Sequence, residues 1–548
     1  MDKNLSINSR SCQAVVGKSL FQLAEGMGLA VPTSCNQQGK CHECLMEVSS
    51  GMDCLTHPAE QETRLKEGFR LSCLCKVIRS DGHIQAHTLN RGKMQIEDKA
   101  VFLPGTSKRP PLDPALRREG NEIRLDGDIV DRGKGPILGV AIDLGTTTVA
   151  LRVLDLESGK LLASAAFENP QRFGGSDVMA RIQYDTDHPG RQLQRTLLAY
   201  LRHSLEQMPI DTARIFEFVI AANPTMRDLF FGLNVHSIGQ KPYRSITESE
   251  WRSGKRKTTA LTRKAASLQL PSHPQARVYG LPLIGGHVGG DASACLLAIE
   301  PHRRKELTAI MDLGTNTELI LGNQDRLMVA SCPAGPAFEG RGIACGMAGV
   351  EGAIARVRYE DANASWQREV IGNGPAQGIC GSGLIDLVSE LLRTDQMDSF
   401  GRFGDGAERV VIDSRYNVFL HKSDINQLAQ AKGANVAGLR IVAQQYGKPF
   451  AEWDHFYLAG GFGRHLNATA ASNMGLIPNL PVSKIQSPGN LSIEGATIAL
   501  LSMTKRHEIE ALVPTIQHIE LETDPQFFDH FVEGCQFGIL SNELEDLP

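Results

Sequence analysis

Seven of the twelve cysteines lie within the first 75 residues, at positions 12, 35, 41, 44, 54, 73 and 75. Cys35, Cys41 and Cys44 are separated by five and two residues, and 28 residues separate Cys44 from Cys73. Thiolates on one tight loop can bind one iron and begin to bind a second, and a distant cysteine completes such a site once the chain folds back. Clustered cysteines in a long chain without a secretory signal favour metal over disulfides. The spacing therefore predicts a [2Fe–2S] cluster.

The fourth ligand of this cluster has two candidates. Cys73 and Cys75 are two residues apart, and side chains at such positions share one face of a strand. Both thiols therefore satisfy the spacing argument. Four thiolates would also suit a structural zinc ion, so the pattern leaves zinc as an alternative.

A second chemical pattern is repeated in the chain. Asp-Leu-Gly-Thr occurs at residues 143–146 and again at 312–315, each time after a short apolar run. We expect two β-hairpins whose tips offer backbone N–H groups and hydroxyls to phosphate, with a carboxylate facing hydrated Mg²⁺. Two copies in equivalent settings predict a duplicated lobe. The predicted phosphate-binding residues are Gly145, Thr146, Thr147, Thr148, Gly314, Thr315, Asn316 and Thr317, and the predicted catalytic residues are Asp143 and Asp312.

A third element, residues 456–463, is an apolar strand that runs into a glycine-rich bend. Glycines at such a bend let the backbone approach a flat base or a ribose, so Gly460, Gly461 and Gly463 are predicted to bind the adenosine part of a nucleotide. Asp291 and Glu318 are further candidates for positioning water or magnesium. No P-loop signature is present in the sequence.

The elements that position these residues fit a chain of several packed units. The length of 548 residues exceeds what one core supports. We divide the chain into a cysteine-rich domain at 1–90, a polar linker at 91–136, a first lobe at 137–300 and a second lobe at 301–548. The formal net charge of −5 gives no general attraction to nucleic acid. No apolar stretch suits a membrane span, so we expect a cytoplasmic protein with no nucleic acid or membrane partner.

The N-terminal segment resembles ferredoxins of the plant and adrenodoxin type. Gly39, Gly51 and the segment 68–73, Gly-Phe-Arg-Leu-Ser-Cys, match that family over most of residues 10–80. The resemblance implies an α+β, β-grasp fold and favours Cys73 over Cys75 and a [2Fe–2S] cluster over zinc. His42 departs from the family, which usually has a small residue directly after the second cysteine.

The remaining chain resembles the acetate and sugar kinase/Hsc70/actin superfamily, whose two-lobed α/β body binds ATP and Mg²⁺. The pairing of a [2Fe–2S] domain with this body resembles the reductive activators of corrinoid proteins, as do the segments 168–171, 174–178 and 222–226. The resemblance implies ATP-dependent reduction of Co(II) to Co(I) in the corrinoid protein of a methyltransferase system. It also implies a low-potential electron donor (a ferredoxin, a flavodoxin or a reductase) and suggests a homodimer.

Two other functions fit the same residues. The body resembles metabolite kinases, so the chain is alternatively a small-metabolite kinase with the cluster as a redox sensor. A chaperone-like reactivase that exchanges damaged corrinoid without electron transfer is the other alternative. A kinase requires a catalytic base and a substrate pocket in the first lobe, and the sequence identifies neither.

Overall fold

The computed structural model describes residues 3–8, 10–33, 35–63, 65–89, 112–460 and 466–541. The described residues up to position 89 form a domain with a five-stranded sheet, in which the strand order is β2-β1-β5-β3-β4. β1 and β5 are parallel and the other pairs are antiparallel, which is the predicted β-grasp arrangement. The elements are β1 (Leu5–Ile7), β2 (Arg10–Cys12), α1 (Leu20–Gly26), β3 (Leu45–Ser50), β4 (Phe69–Leu71) and β5 (Ile84–Thr88).

The helix α1 begins at a capping box in which Ser19 and Gln22 satisfy each other's backbone N–H groups. Its apolar residues Leu20, Phe21, Leu23 and Ala24 are buried, so one face of the helix covers the small sheet. The loop that carries Cys35, Cys41 and Cys44 lies between this helix and β3.

The described part of the predicted linker contains an ordered three-stranded sheet rather than irregular chain. Its strands are β6 (Leu116–Glu119), β7 (Glu122–Leu125) and β8 (Asp128–Arg132). β7 and β8 are joined by Asp126 and Gly127, both with positive φ, which is the geometry that a two-residue hairpin requires. An ion pair of 2.6 Å between Asp131 and Arg214 attaches this sheet to the first lobe.

The first lobe is built on a six-stranded sheet with the order β11-β10-β9-β12-β14-β13. Its strands are β9 (Leu138–Leu144), β10 (Thr148–Asp155), β11 (Leu161–Glu168), β12 (Ile215–Ala221), β13 (Leu261–Lys264) and β14 (Arg277–Gly280). Its helices are α2 (Val178–Asp187), α3 (Gln192–Glu206), α4 (Pro224–Phe231), α5 (Ile246–Arg252) and α6 (Gly290–Ile299). The leucines at 193, 197, 201 and 205 recur at helical spacing, and they form the buried face of α3.

The second lobe has a six-stranded sheet with the order β24-β23-β15-β16-β17-β25, beside two smaller sheets. Its strands are β15 (Thr308–Leu313), β16 (Thr317–Gly322), β17 (Leu327–Cys332), β18 (Ala353–Glu360), β19 (Ser365–Val370), β20 (Gly378–Ile379), β21 (Arg409–Asp413), β22 (Val418–His421), β23 (His455–Gly460), β24 (Ile485–Gly489) and β25 (Gln517–His518). Its helices are α7 (Gly381–Arg393), α8 (Lys422–Tyr446), α9 (Ala468–Asn473), α10 (Leu491–Leu501), α11 (Met503–Leu512) and α12 (Phe527–Gly534).

The two lobes repeat one topology, as the duplicated motif predicted. In each lobe three antiparallel strands (β9 to β11, or β15 to β17) are followed by two strands parallel to the first, β12 and β14 or β23 and β24. The predicted hairpins therefore occupy equivalent places, at the ends of β9 and β15. This is the two-lobed α/β architecture that the sequence indicated.

Helices α6 and α10 cross closely beneath the hairpins. A Cβ atom on Gly495 would lie 2.0 Å from the carbonyl oxygen of Ala294, so only glycine permits this approach. The helix α7 begins at Gly381. The missing side chain of Gly383 lets the first turn of α7 pack against the backbone of Ile354 in β18, where a Cβ atom would lie 2.3 Å from the carbonyl oxygen. In the described part of the chain, no helix combines the length and apolar character that a membrane crossing requires.

Candidate functional site

The four predicted cluster cysteines come together as two pairs of thiols. Cys35 is hydrogen-bonded to Cys41, and Cys44 is hydrogen-bonded to Cys73. The Cys73 thiol is also close enough to Cys35 and Cys41 for their charges to act on it. Among the described residues, no three His, Cys, Asp or Glu side chains converge tightly enough to hold one metal ion. The arrangement is two adjoining pairs.

Hydrogen bonds shift the pKa of three of these thiols. Burial alone would raise the pKa of Cys35, but hydrogen bonds from Cys41 and from the backbone of Lys40 and Gln38 lower it to about 7. The hydrogen bond with Cys44 is the main reason that the pKa of Cys73 is lowered, and a backbone hydrogen bond from Gly39 adds to it. The hydrogen bond to Cys73 and burial raise the pKa of Cys44 well above its ordinary value, so Cys35 and Cys73 are the two thiols that are shifted toward the thiolate form that binds iron.

Cys75 lies apart from this group. Burial raises its pKa to about 12, and the charges that reach it come from Arg70 and Glu62, not from other cysteines. Arg70 and Glu62 form a buried ion pair of 3.0 Å. Both Cys73 and Cys75 are buried in the core of the domain, but Cys73 alone lies close to the other three thiols.

The backbone of the loop that carries the cysteines is sharply curved. Asn36, Gln37, Gly39 and His42 all have positive φ values. In such a curve successive N–H groups can point to one side, which suits an anionic cluster. His42 adopts this conformation despite its side chain, and its Nδ1 atom lies 3.0 Å from Nε2 of Gln192 on α3 of the first lobe. The residue that departs from the ferredoxin pattern is therefore a contact between domains.

The described thiols fit a [2Fe–2S] cluster, which takes four cysteine ligands, two for each iron. The two hydrogen-bonded pairs supply that number and that grouping. Two neutral thiols can hydrogen-bond to each other without a metal. Once four neighbouring thiols ionise, however, their negative charges repel one another. A bound cationic cluster core would relieve this repulsion.

The first predicted phosphate loop is held in shape by polar contacts. The Gly145 N–H donates to the Thr148 carbonyl at 2.9 Å, closing the hairpin tip. Asn169 donates from its side chain to the Gly145 carbonyl at 2.8 Å and from its backbone to the Thr147 carbonyl at 2.7 Å. Asn223 donates to the Thr146 hydroxyl at 3.1 Å. Both asparagines belong to segments that supported the family resemblance.

The second predicted loop faces the first one directly. The hydroxyl oxygens of Thr147 and Thr315 are 3.0 Å apart. Asn316 and Gly314 form the tip between β15 and β16, and a Cβ on Gly314 would lie 3.0 Å from the Asn316 carbonyl. The Thr317 hydroxyl is buried and has no hydrogen-bond partner among the described residues. The two hairpins thus present hydroxyls and backbone groups to one shared space.

Asp143 and Asp312 lie at the base of these two hairpins. Asp143 accepts a hydrogen bond of 2.7 Å from Asn490, and Asp312 accepts one of 3.3 Å from the Cys295 thiol. Desolvation raises the pKa of each carboxyl to about 6, and for Asp312 the charge of Asp143 contributes. Burial raises the pKa of Asp291 to about 7, and the charges of Asp312 and Asp143 add to this shift.

Glu318 joins the same acidic group, and its pKa is raised well above the ordinary value by burial and by Asp291 and Asp312. Neighbouring carboxylates in a desolvated cleft repel each other. A divalent cation, alone or with its water shell, would relieve that repulsion, and oxygen ligands are the kind that Mg²⁺ prefers. The described carboxylates do not converge on one point, so the acidic group is suited to a magnesium ion held through its water shell.

Gly460 reaches the second phosphate loop from β23. Its φ is 127°, and a Cβ atom there would lie 2.2 Å from the Leu313 carbonyl oxygen. The strand pairing places Gly460 directly beside Leu313. The position requires glycine because the bend turns within contact distance of the loop. Gly461 and Gly463, also predicted to bind adenosine, lie outside the described residues.

Three charged residues that the sequence interpretation missed lie at the meeting point of the two loops. Glu339 accepts a hydrogen bond from the Thr315 hydroxyl at 2.8 Å and another from Thr147, and burial raises its pKa. Arg181 donates to the Thr146 carbonyl at 2.6 Å, and burial lowers its pKa to about 9. Arg341 is close enough to affect both. The signal for Glu339 and Arg341 was the glycine-rich segment 335–342, in which three glycines have positive φ.

Comparisons with known proteins agree with this architecture. Residues 5–77 match the profile of the 2Fe-2S iron-sulfur cluster binding domain, residues 138–304 match the RACo middle region, and residues 306–545 match the C-terminal domain of RACo, the ASKHA domain. The solved structure of a reductive activator for a corrinoid, iron-sulfur protein superposes with a TM-score of 0.72 at 26% identity, over 98% of both chains.

Two curated relatives are similar over most of their length. The [Co(II) methylated amine-specific corrinoid protein] reductase of Methanosarcina barkeri is 22% identical over 442 residues, which cover 74% of this chain and 78% of that protein. The corrinoid activation enzyme RamQ of Eubacterium limosum is 31% identical over 449 residues, which cover 76% of this chain and 73% of RamQ. This chain belongs to the family of corrinoid activation enzymes.

Proposed function

We propose that this protein uses ATP to drive the one-electron reduction of a corrinoid protein's cobalt from Co(II) to Co(I), in support of corrinoid-dependent methyl transfer. The observation that carries the proposal is the joining of two sites. A domain with four adjacent thiols packs directly on the lobe that holds the first of two facing phosphate hairpins. Contact between an electron-carrying domain and a nucleotide-binding body is the arrangement that an ATP-dependent reduction requires.

We assign Cys35, Cys41, Cys44 and Cys73 as the ligands of the cluster. When bound, a plant-type [2Fe–2S] cluster supplies one-electron transfer at about −400 mV. Co(II)/Co(I) couples generally lie lower, and every 59 mV of uphill transfer lowers the equilibrium constant about tenfold for one electron. Either a strongly reduced donor or a change in the ligands of the cobalt within the complex can overcome this barrier. We propose that the electrons come from a low-potential donor, which is a ferredoxin, a flavodoxin or a reductase.

The residues of the body bind and orient the nucleotide. We assign the hydroxyls of Thr147 and Thr315 and the N–H groups of both hairpin tips to the phosphates. Asp143 and Asp312 are assigned to the hydrated Mg²⁺ that accompanies ATP, and Gly460 with its following glycines to the adenosine. Because the two hairpins belong to different lobes and their hydroxyls lie 3.0 Å apart, phosphate that contacts both stabilises the closed arrangement, in which the hairpins meet.

Lobe closure gives ATP a physical means of acting on the partner. A nucleotide shifts an equilibrium only by its difference in affinity for the two states. We propose that the closed form binds the Co(II) form of the corrinoid protein more tightly and that hydrolysis releases it. The family resemblance further leads us to propose a cytoplasmic homodimer.

The test combines the purified protein carrying its cluster, a Co(II) corrinoid protein, a low-potential reductant and Mg²⁺, followed by visible spectroscopy with and without ATP. We expect Co(I) to accumulate faster and further with ATP. Equal rates and extents would reject the coupling. Cys41→Ser should abolish reduction, whereas a pure remodelling chaperone would keep its effect in that variant. Phosphorylation of a small metabolite in place of cobalt reduction would favour the kinase.

A further inference from the structure

The cluster domain contacts the first lobe through the loop that carries its cysteines. His42 meets Gln192 at 3.0 Å, and Arg195 donates to the Lys40 carbonyl at 3.4 Å. Both body residues belong to α3. These contacts involve neutral groups or an exposed arginine, so a stronger interaction is needed to fix the position of the domain.

Arg172 supplies that stronger interaction. Its guanidinium lies 3.1 Å from the carboxylate of Glu47 on β3 of the cluster domain and 3.4 Å from the Thr88 carbonyl at the end of β5. Only 6% of the Arg172 side chain is exposed, whereas the Glu47 side chain is 33% exposed, so the ion pair is partly shielded from water. Such a pair is worth more than a fully exposed one, because the buried guanidinium has lost its water and needs a charged partner.

The turn that carries Arg172 is attached to the first phosphate loop. It follows Asn169 directly, and Asn169 donates hydrogen bonds to the carbonyls of Gly145 and Thr147. The docking arginine and the first phosphate loop are therefore held by one short segment of chain. A shift of the loop displaces the turn that holds Arg172.

A second connection runs through Glu168 to the other lobe. The Glu168 carboxylate lies 3.3 Å from Arg172 and 2.6 Å from Arg341. Arg341 comes two residues after Glu339, which accepts hydrogen bonds from Thr147 and Thr315. Four charged side chains thus run from the cluster domain to the meeting point of the phosphate loops, in the order Glu47, Arg172, Glu168, Arg341.

We propose that Arg172 is the positioning residue that docks the cluster domain on the body, and that ATP weakens this docking by displacing Glu339 from the two threonine hydroxyls. The proposal rests on the proposed function for its purpose, which is to free the cluster domain for the corrinoid protein once ATP is bound. Phosphate and Glu339 compete for the same hydroxyls, and both are anionic, so they cannot occupy that place together. When Glu339 moves, it carries Arg341 away from Glu168. Glu168 then attracts Arg172 more strongly, and the ion pair between Arg172 and Glu47 weakens.

The test is hydrogen exchange measured by mass spectrometry on the full chain with its cluster, without a corrinoid protein. The probe is a non-hydrolysable ATP analogue with Mg²⁺, and the segments followed are 40–47 and 192–195. In the natural sequence we expect the analogue to accelerate exchange in both segments about tenfold, as the docked interface opens. Equal exchange with and without the analogue would overturn the proposal.

Glu47→Gln removes the charge that Arg172 holds. We expect this variant to exchange fast in both segments without nucleotide, and the analogue to change the rate by less than about twofold. Asp53→Asn is the matched control, because the ion pair that it removes joins Asp53 to Arg79, two exposed residues of the same domain. The control should respond as the natural sequence does. A full response in Glu47→Gln would contradict the role of Arg172.

Glu168→Gln tests the same chain of charges from the body. In Glu168→Gln we expect the ATP analogue to leave hydrogen exchange in both segments unchanged. This variant still tests the proposal if the visible spectrum shows that Glu47→Gln has lost its cluster.

The docking proposal and the proposed function can be rejected independently of each other. A normal exchange response without ATP-dependent cobalt reduction rejects the proposed function alone, and ATP-dependent reduction with no exchange response rejects the docking proposal alone.

Discussion

The hydroxyl groups of Thr147 and Thr315 lie 3.0 Å apart although the two residues are 168 positions apart in the chain. Each belongs to the tip of a hairpin in a different lobe, and Glu339 accepts hydrogen bonds from both. Any phosphate group that binds the two hairpins must meet these two hydroxyls. The two lobes therefore touch each other at the place where ATP is expected to bind.

Removing one of these hydroxyls should weaken ATP binding. Thr315→Val keeps the shape of the side chain and deletes its hydrogen bond to phosphate, so we expect the dissociation constant for Mg²⁺-ATP to rise about tenfold. Thr308→Val is the control, since Thr308 is buried at the opposite end of β15. Calorimetric titration measures both. Equal affinities in the two variants would show that the second hairpin does not bind phosphate.

Removing the charge of Glu339 should have the opposite effect. In Glu339→Gln the group that competes with phosphate is neutral, so we expect ATP to bind about three- to tenfold more tightly. The amide oxygen can still accept from the threonine hydroxyls, which keeps the loops in place. Weaker binding in this variant would mean that the carboxylate assists the nucleotide instead of competing with it.

The two candidate cysteines for the fourth ligand can be separated by substitution. Cys73→Ala should abolish the visible absorption of the cluster and lower the iron content, because Cys73 lies with the other three thiols. Cys75→Ala should retain the cluster and lose only modest stability, about 1 kcal/mol, from the smaller buried side chain. Iron and sulfide analysis with visible spectroscopy decides the matter. A cluster retained in Cys73→Ala and lost in Cys75→Ala would reverse the assignment.

Asp143 should link magnesium binding and stability to pH. Its pKa is raised from 3.8 to about 6, so the folded state holds this proton more tightly than the unfolded state does. Ionising Asp143 therefore costs stability as pH rises from about 4 through 6, and the cost is absent below that range. Mg²⁺-ATP affinity should fall as pH drops through 6, because the metal requires the carboxylate.

Asp143→Asn tests both consequences. At pH 8 we expect the free energy of unfolding to increase by about 1–2 kcal/mol, with no gain below pH 4, and the affinity for Mg²⁺-ATP to fall by tenfold or more. Urea unfolding and calorimetry at the two pH values provide the measurements. An equal change in stability at both pH values would contradict the assigned pKa.

Gly460→Ala should damage the second lobe. The added Cβ would lie 2.2 Å from the Leu313 carbonyl in a backbone conformation with φ of 127°, so we expect a loss of about 2–4 kcal/mol in stability. Gly374→Ala is the control, because a Cβ there meets nothing within 4 Å and its φ is negative. Thermal unfolding compares the two variants. Similar melting temperatures would show that the bend relaxes easily.

The sequence by itself determined the features that depend on nearby residues. The tight spacing of Cys35, Cys41 and Cys44 and the repeated Asp-Leu-Gly-Thr hairpins are local, because the chain needs only a few residues to form a loop or a turn. The matching settings of the two hairpins also indicated two lobes of one topology. The hairpin turn at Asp126 and Gly127 was not predicted, because the segment around it was interpreted as a linker.

The tertiary structure alone decided which distant groups meet. Cys73 and Cys75 satisfy the same spacing, and only the packing of the cluster domain brings Cys73 to Cys44 and buries Cys75 in the core. No periodicity connects Glu47 to Arg172 or Glu339 to Thr147, since ion pairs and hydrogen bonds across domains depend on how the folded units pack. Contacts between residues more than a hundred positions apart are set by that packing, and they join the cluster domain to the phosphate loops.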